Sequence, residues 1–217
     1  MGLSNDRPLL LASGSPRRRA LLRSAGIPLR VQTFEVDEAL KAGEGPELYL
    51  ERVVRAKREA GKLGLASSDG ALLVADTVVV LDGEVLGKPA HAGAARSMVR
   101  ALAGREHAVM TRFSVSAAHA GRCGASVEHT VVTTVAVRPL SDALVDAYVA
   151  TGEGLDKAGA YAIQGKFAFA VSRITGSYTN VVGLPLAEVV QALEALELFD
   201  AAVLAGAELE DERTRAP

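Results

Sequence analysis

Tryptophan is absent from this chain, and aromatic residues make up only 4% of it. The core must therefore be aliphatic, and the base-stacking platforms of single-strand nucleic-acid binders are missing. There is one cysteine, Cys123, in the loop-like stretch HAGRCGAS. That excludes an internal disulfide framework and fits a reducing compartment. No apolar run approaches the ~20 residues of a membrane span. The first residues, MGLSNDRPLLLASG, show no charged segment ahead of a long apolar one. A cytoplasmic protein with no membrane partner is expected. Nor is there an excess of positive charge: 24 Lys and Arg against 26 Asp and Glu leave a net charge of −2. Stable nucleic-acid binding, which needs a strongly basic face, is not expected either. The four histidines, at 91, 107, 119 and 129, have no zinc-like spacing, and neither a Walker loop nor a nucleophile elbow occurs.

What remains is an ordinary globular balance, 49% apolar and 23% charged over 217 residues. Periodicity predicts strands over 8–13, 29–36, 71–81, 107–116, 127–137 and 166–174. Helices are predicted from the Ser15 cap to near Gly26, over 46–63, 91–102 and 184–199, and from the Ser141 cap to near Gly152. Residues 175–183 read as a loop. Asp82-Gly83 between two β-rich runs is a strong hairpin signal and sets Leu81 opposite Glu84. The pattern gives a mixed α/β sheet flanked by helices, a single domain over residues 1–200 and a C-terminal tail over 201–217 whose last residues, 207–217, read as polar and frayed.

Two local anomalies point to chemistry. In LASGSPRRRALL, Leu11 to Leu22, three arginines follow the Ser15-Pro16 helix start, where the helix carries partial positive charge and a cation is unfavourable. Helical spacing sets Arg17 over Leu21 and Arg18 over Leu22, toward the protein body, and Arg19 over Arg23, toward water. A bound phosphate would reverse the unfavourable term; acidic side chains elsewhere in the fold would do the same. In LLVADTVVVL the apolar run is broken only by Asp76 and Thr77. A carboxylate there is costly unless paired, bonded to backbone amides or bound to a metal. The hairpin register brings Lys88 within one step of Asp76, and the two converge if the ladder breaks near Gly87. A third stretch, DKAGAYAIQG, Asp156 to Gly165, combines small residues with polar tips.

Taken in order, LASGSPRRRALL, ADTVVVLDGEVLGKP, DKAGAYAIQG and GSYTNVVGLPL resemble the signature segments of the Maf-like nucleoside triphosphate pyrophosphatases, over roughly 9–196. The resemblance implies two lobes around a central cleft, as in inosine triphosphate pyrophosphatases. It also implies cleavage of a nucleotide to the monophosphate and pyrophosphate with a divalent metal, Mg²⁺ or Mn²⁺. By position, Asp76 is implied as the catalytic proton acceptor and metal ligand, Glu38 as a second metal partner, and Ser13, Arg17, Arg18, Lys57 and Lys88 as phosphate contacts. Arg17, Thr77 and Gln164 match the branch preferring dTTP and UTP, with CTP and modified pyrimidine nucleotides as further substrates. A homodimer is a common state in such enzymes. Two rival functions are a same-fold pyrophosphatase for modified or purine nucleotides and a non-catalytic phosphate- or RNA-binding regulatory module.

Overall fold

The apolar run over 71–81 becomes the central strand, β3 (Ala71–Leu81), in which every residue is buried except the half-buried Thr77. The computed structural model describes residues 2–205. Strand β1 (Leu9–Leu11) leads through the Ser15 cap into helix α1 (Pro16–Ser24), then strand β2 (Leu29–Val31) and helix α2 (Pro46–Leu63). After β3 come strand β4 (Glu84–Leu86), helix α3 (Ala92–Leu102), the long hairpin of β5 (Glu106–His119) and β6 (Arg122–Val137), and helix α4 (Asp142–Ala150). Strand β7 (Val171–Thr175) and helices α5 (Tyr178–Val182), α6 (Leu186–Ala195) and α7 (Ala201–Ala205) follow.

These strands form one seven-stranded sheet in the order β2-β1-β3-β5-β6-β7, with β4 also on β3. The pairs of β1 with β2 and β3 are parallel and the rest antiparallel. The mixed α/β sheet flanked by helices is therefore as expected, and the Asp82-Gly83 turn sets Leu81 opposite Glu84.

Alternation along β3 assigns its two faces. Even-numbered Leu72, Val74, Val78 and Val80 pack under Leu50, Val53 and Val54 of α2. Odd-numbered residues face two separate clusters. Leu73 and Ala75 join α1 and α6; Val79 and Leu81 join α3, α4 and Phe167. Thr77 lies between the two clusters.

Three expectations are corrected. The strand at 29–36 is only Leu29–Val31. Residues Lys166–Ala170 form a 3-10 turn and only Val171–Thr175 is strand, because the Glu153 carboxylate accepts hydrogen bonds from the Lys166 and Phe167 amides. The 175–183 loop contains α5, capped by the Ser177 hydroxyl on the Asn180 amide at 3.2 Å. Within 201–217, Val203 of α7 is buried beside Leu3 and Leu198; the frayed tail expected beyond it lies outside the described residues. Among the described residues no helix is long and apolar enough to cross a membrane.

Candidate active site

One edge of β3 is paired with β5 over 71–80. The other is shared: β1 takes residues 71–73 and β4 takes 79–81. Residues 74–78 therefore have no strand on that side, and the sheet opens there. A cavity of about 610 Å³ fills the opening. Ser13, Arg17, Arg18, Glu38, Lys57, Asp76, Thr77, Lys88 and Gln164, the nine positions singled out from the sequence, all line it.

Asp76 points to the α2 face. Its carboxylate, 8% exposed as a residue, accepts a hydrogen bond from the Lys57 ammonium at 2.7 Å, and the same ammonium lies 2.6 Å from Glu38. The lysine beside Asp76 is thus Lys57, not Lys88. The β3–β4 ladder ends at Val79 and Leu86, and Lys88 lies exposed on the cavity wall. Burial alone would raise the Glu38 carboxyl, but the Lys57 hydrogen bond and the charges of Lys57, Lys88 and Arg18 hold it below the usual carboxylate range. Glu38 belongs to an irregular segment strapped to α2. The Tyr49 hydroxyl donates to the Glu38 carbonyl at 3.1 Å, and Arg52 donates to the carbonyls of Asp37 and Ala39 at 3.1 and 2.8 Å. Arg52 is itself held by both oxygens of Glu44 at 2.6 and 2.7 Å.

Thr77 points to the opposite face and meets a different partner. Arg18, 8% exposed, donates to the Ser13 hydroxyl at 3.2 Å, the Ala75 carbonyl at 2.9 Å, the Thr77 hydroxyl at 3.1 Å and the Gly183 carbonyl at 2.8 Å. The Ala75 carbonyl lies in the stretch that the split sheet leaves without a strand, so Arg18 supplies the donor that a neighbouring strand would have given. Burial lowers the Arg18 pKa, with the nearby Asp76 charge opposing. Beneath Thr77, the Thr111 hydroxyl is 2.9 Å away. Asn180, fully buried, donates to the Val109 and Val131 carbonyls and to the Thr133 hydroxyl.

The cavity mouth carries cations. Arg17, with a 28% exposed side chain, is 3.8 Å from Asp156, while Arg19 and Arg23 face water as the helical spacing predicts. Gln164 is exposed and makes no hydrogen bond among the described residues. The DKAGAYAIQG stretch reaches the site because Gly159, at φ +68°, lies against β3: a Cβ there would meet Val79 at 2.9 Å. Its amide donates to the Gly87 carbonyl at 3.2 Å. Tyr161 lines the same wall, its hydroxyl 2.8 Å from His107.

The sequence reading did not single out Tyr49, Arg52, Thr111, Asn180 or the Gly183 carbonyl. A lone Asn in the run TNVVG was the one available signal. Among the described residues no three His, Cys, Asp or Glu side chains form a cage for a metal. Glu38 and Asp76 nevertheless converge on one cationic position. That arrangement fits Mg²⁺ or Mn²⁺, which use one or two carboxylates and complete their shell with substrate phosphates and water.

A family model described as Maf-like protein matches residues 8–196. A protein named dTTP/UTP pyrophosphatase from Anaeromyxobacter dehalogenans is 49% identical over 83% of this chain and 89% of its own. One of the same name from Methylococcus capsulatus is 45% identical over 94% of this chain and 98% of its own. A solved dITP/XTP pyrophosphatase from Mycobacterium abscessus overlaps 59% of this chain and 72% of its own at 14% identity, with a TM-score of 0.33. The matched span covers both edges of the split sheet and every residue lining its opening, and the chain belongs to the Maf-like family.

Proposed function

We propose that this protein is a dTTP/UTP pyrophosphatase, a hydrolase that converts these nucleotides to the monophosphate and pyrophosphate. The observation that carries the reading is the convergence of Asp76, Glu38 and Lys57 beside the arginine-rich start of α1 in one cavity. The names and coverage of the relatives support the substrate. The single cysteine supports a cytoplasmic setting.

The division of labour follows from the two faces of β3. Arg17 and Lys88 are the cations at the open side and meet the triphosphate tail, where fork and point charge suit phosphate oxygens. Arg18 has most of its donors committed inside the protein and acts by holding Ser13 and Thr77 in place. Asp76 orients a water molecule for in-line attack on the α-phosphorus and accepts its proton. The new bond joins that water oxygen to phosphorus, and the bond to the bridging oxygen breaks, releasing pyrophosphate. Glu38 and Asp76 would hold a divalent cation, Mg²⁺ or Mn²⁺, which neutralises phosphate charge. Gln164, with a free amide that can donate and accept, reads the carbonyl and ring N–H of a pyrimidine.

The test is a panel of all NTPs and dNTPs with Mg²⁺ or Mn²⁺ and detection of pyrophosphate. Metal-dependent release highest with dTTP and UTP is the expected result. Release from none of them, or a clear preference for purine nucleotides, overturns the reading.

A further inference from the structure

Helix α2 supplies cations to two different places. Lys57 turns toward Asp76, whereas Arg58 and Lys62, one helical turn apart, turn toward the far end of the β5–β6 hairpin. There they line a second cavity of about 430 Å³ with Leu65, Ser116, Arg122, Cys123 and Ser126. This cavity shares no lining residue with the active-site cleft.

Its walls have a consistent chemistry. Three cations line it, and neither a carboxylate nor an aromatic ring does. Glu59 and Glu128 pair with these cations from outside: Glu59 is 2.7 Å from Lys62, and Glu128 pairs with Arg58 and with Arg112. Arg122 makes no ion pair among the described residues. The hairpin is shaped for the purpose. Ser116 pairs with Ser126 but Ala118 pairs with Cys123, so β6 carries one extra residue between them. Plain alternation would turn Cys123 away from Ser126; the bulge turns both the same way.

A second observation points to something polar occupying this face. Six buried side-chain atoms lack a hydrogen-bond partner among the described residues, and three of them are Arg58 Nε, Arg112 Nε and Ser114 Oγ. The Glu59 carboxylate lies 3.6 Å from Arg58 Nε, beyond hydrogen-bond range. Ser114, 1% exposed, stands two residues from Ser116 on the same face of β5. Of these atoms Arg58 Nε belongs to a residue on the cavity wall, and a buried donor left open there calls for an acceptor.

We propose that this cavity is a binding site for a small phosphate-type oxyanion, separate from the catalytic cleft. Arg58, Lys62 and Arg122 supply charge, and the Ser116 and Ser126 hydroxyls supply neutral donors. Without an aromatic wall the site reads the phosphate group rather than a base. The proposal stands whether or not the cleft hydrolyses nucleotides.

The chain's only cysteine lines this cavity, so alkylation of Cys123 reports its occupancy. The full-length protein is treated with iodoacetamide in metal-free buffer and followed by intact mass. Inorganic phosphate, pyrophosphate or dTMP is added at constant ionic strength, with chloride as control. Labelling is expected to slow at least about threefold at saturating pyrophosphate or phosphate, and not with chloride, since occupancy scales with ligand over Kd. Protection by dTMP as well assigns the site to any phosphomonoester; protection by the inorganic anions alone assigns it to free phosphate. In a Lys62→Ala/Arg122→Ala variant that keeps the wild-type circular dichroism spectrum, protection is expected to disappear. Labelling of the wild type that ignores every anion, or protection undiminished in the double variant, overturns the proposal.

Discussion

Asp76 and Thr77 are neighbours in sequence, yet they belong to two regions built on opposite principles. On the Thr77 side the site is a frame. Arg18 is tied to a backbone carbonyl at each of Ala75 and Gly183 and to the hydroxyls of Ser13 and Thr77, with Thr111 and Asn180 packed behind. Its one charge is spread over neutral acceptors that cannot leave. On the Asp76 side three ionisable groups meet, Glu38, Lys57 and Asp76, and under the proposed function they regroup around an incoming triphosphate. A single residue step separates rigidity from reactivity because a strand sends successive side chains to opposite faces.

The comparison breaks most sharply at Asp76. Asp76→Asn should lower turnover by about 10²-fold or more while the thermal midpoint stays close to wild type; steady-state kinetics beside a melting curve checks both. Arg18→Ala should do the reverse in kind. It leaves the Ala75 carbonyl in the gap without a donor, so urea unfolding should show a loss of about 2–3 kcal/mol, with activity falling as a consequence.

Acid probes the uncharged wall. Burial holds His107 down at about 4, from the ordinary 6.5, so the native state resists a proton that the unfolded chain takes up. Stability from this group is complete above pH 6.5 and is lost as pH falls toward 4, by about 2–3 kcal/mol. Unfolding free energies at pH 7 and 4.5 should therefore differ less in His107→Gln than in wild type. The smallest effect is expected at Gln164, which is exposed and unbonded. Gln164→Glu should cut the preference for dTTP and UTP about tenfold, a difference of about 1.4 kcal/mol, and leave the melting curve unchanged.

Much of this was legible in the sequence wherever a local rule decided the outcome. The Asp-Gly turn fixed the β3–β4 register, and helical spacing separated Arg17 and Arg18 from the solvated Arg19. The ordered motifs hold seven of the nine singled-out positions that line the cleft; Glu38 and Lys57 lie between motifs and carry no local mark of their own. What stayed hidden depended on docking. Lys57 reaches Asp76 only because α2 lies across the even face of β3, which no spacing rule conveys. Gly183 acts through its carbonyl, and backbone groups leave no mark on residue identity. The short turn at 166–170 looked like a strand because its alternation is real, but the Glu153 carboxylate, thirteen residues upstream of Lys166, caps it instead.

The interruption in β3 has a consequence for how the molecule meets other copies of itself. A rim of unpaired peptide groups at the end of a sheet invites another chain to add a strand. Here the vacancy is internal, five residues long, flanked by β1 and β4 and stoppered by a guanidinium. An extended segment from outside would have to enter between two strands and displace Arg18. The gap thus opens the sheet to a small solute without offering a template for strand addition at that place.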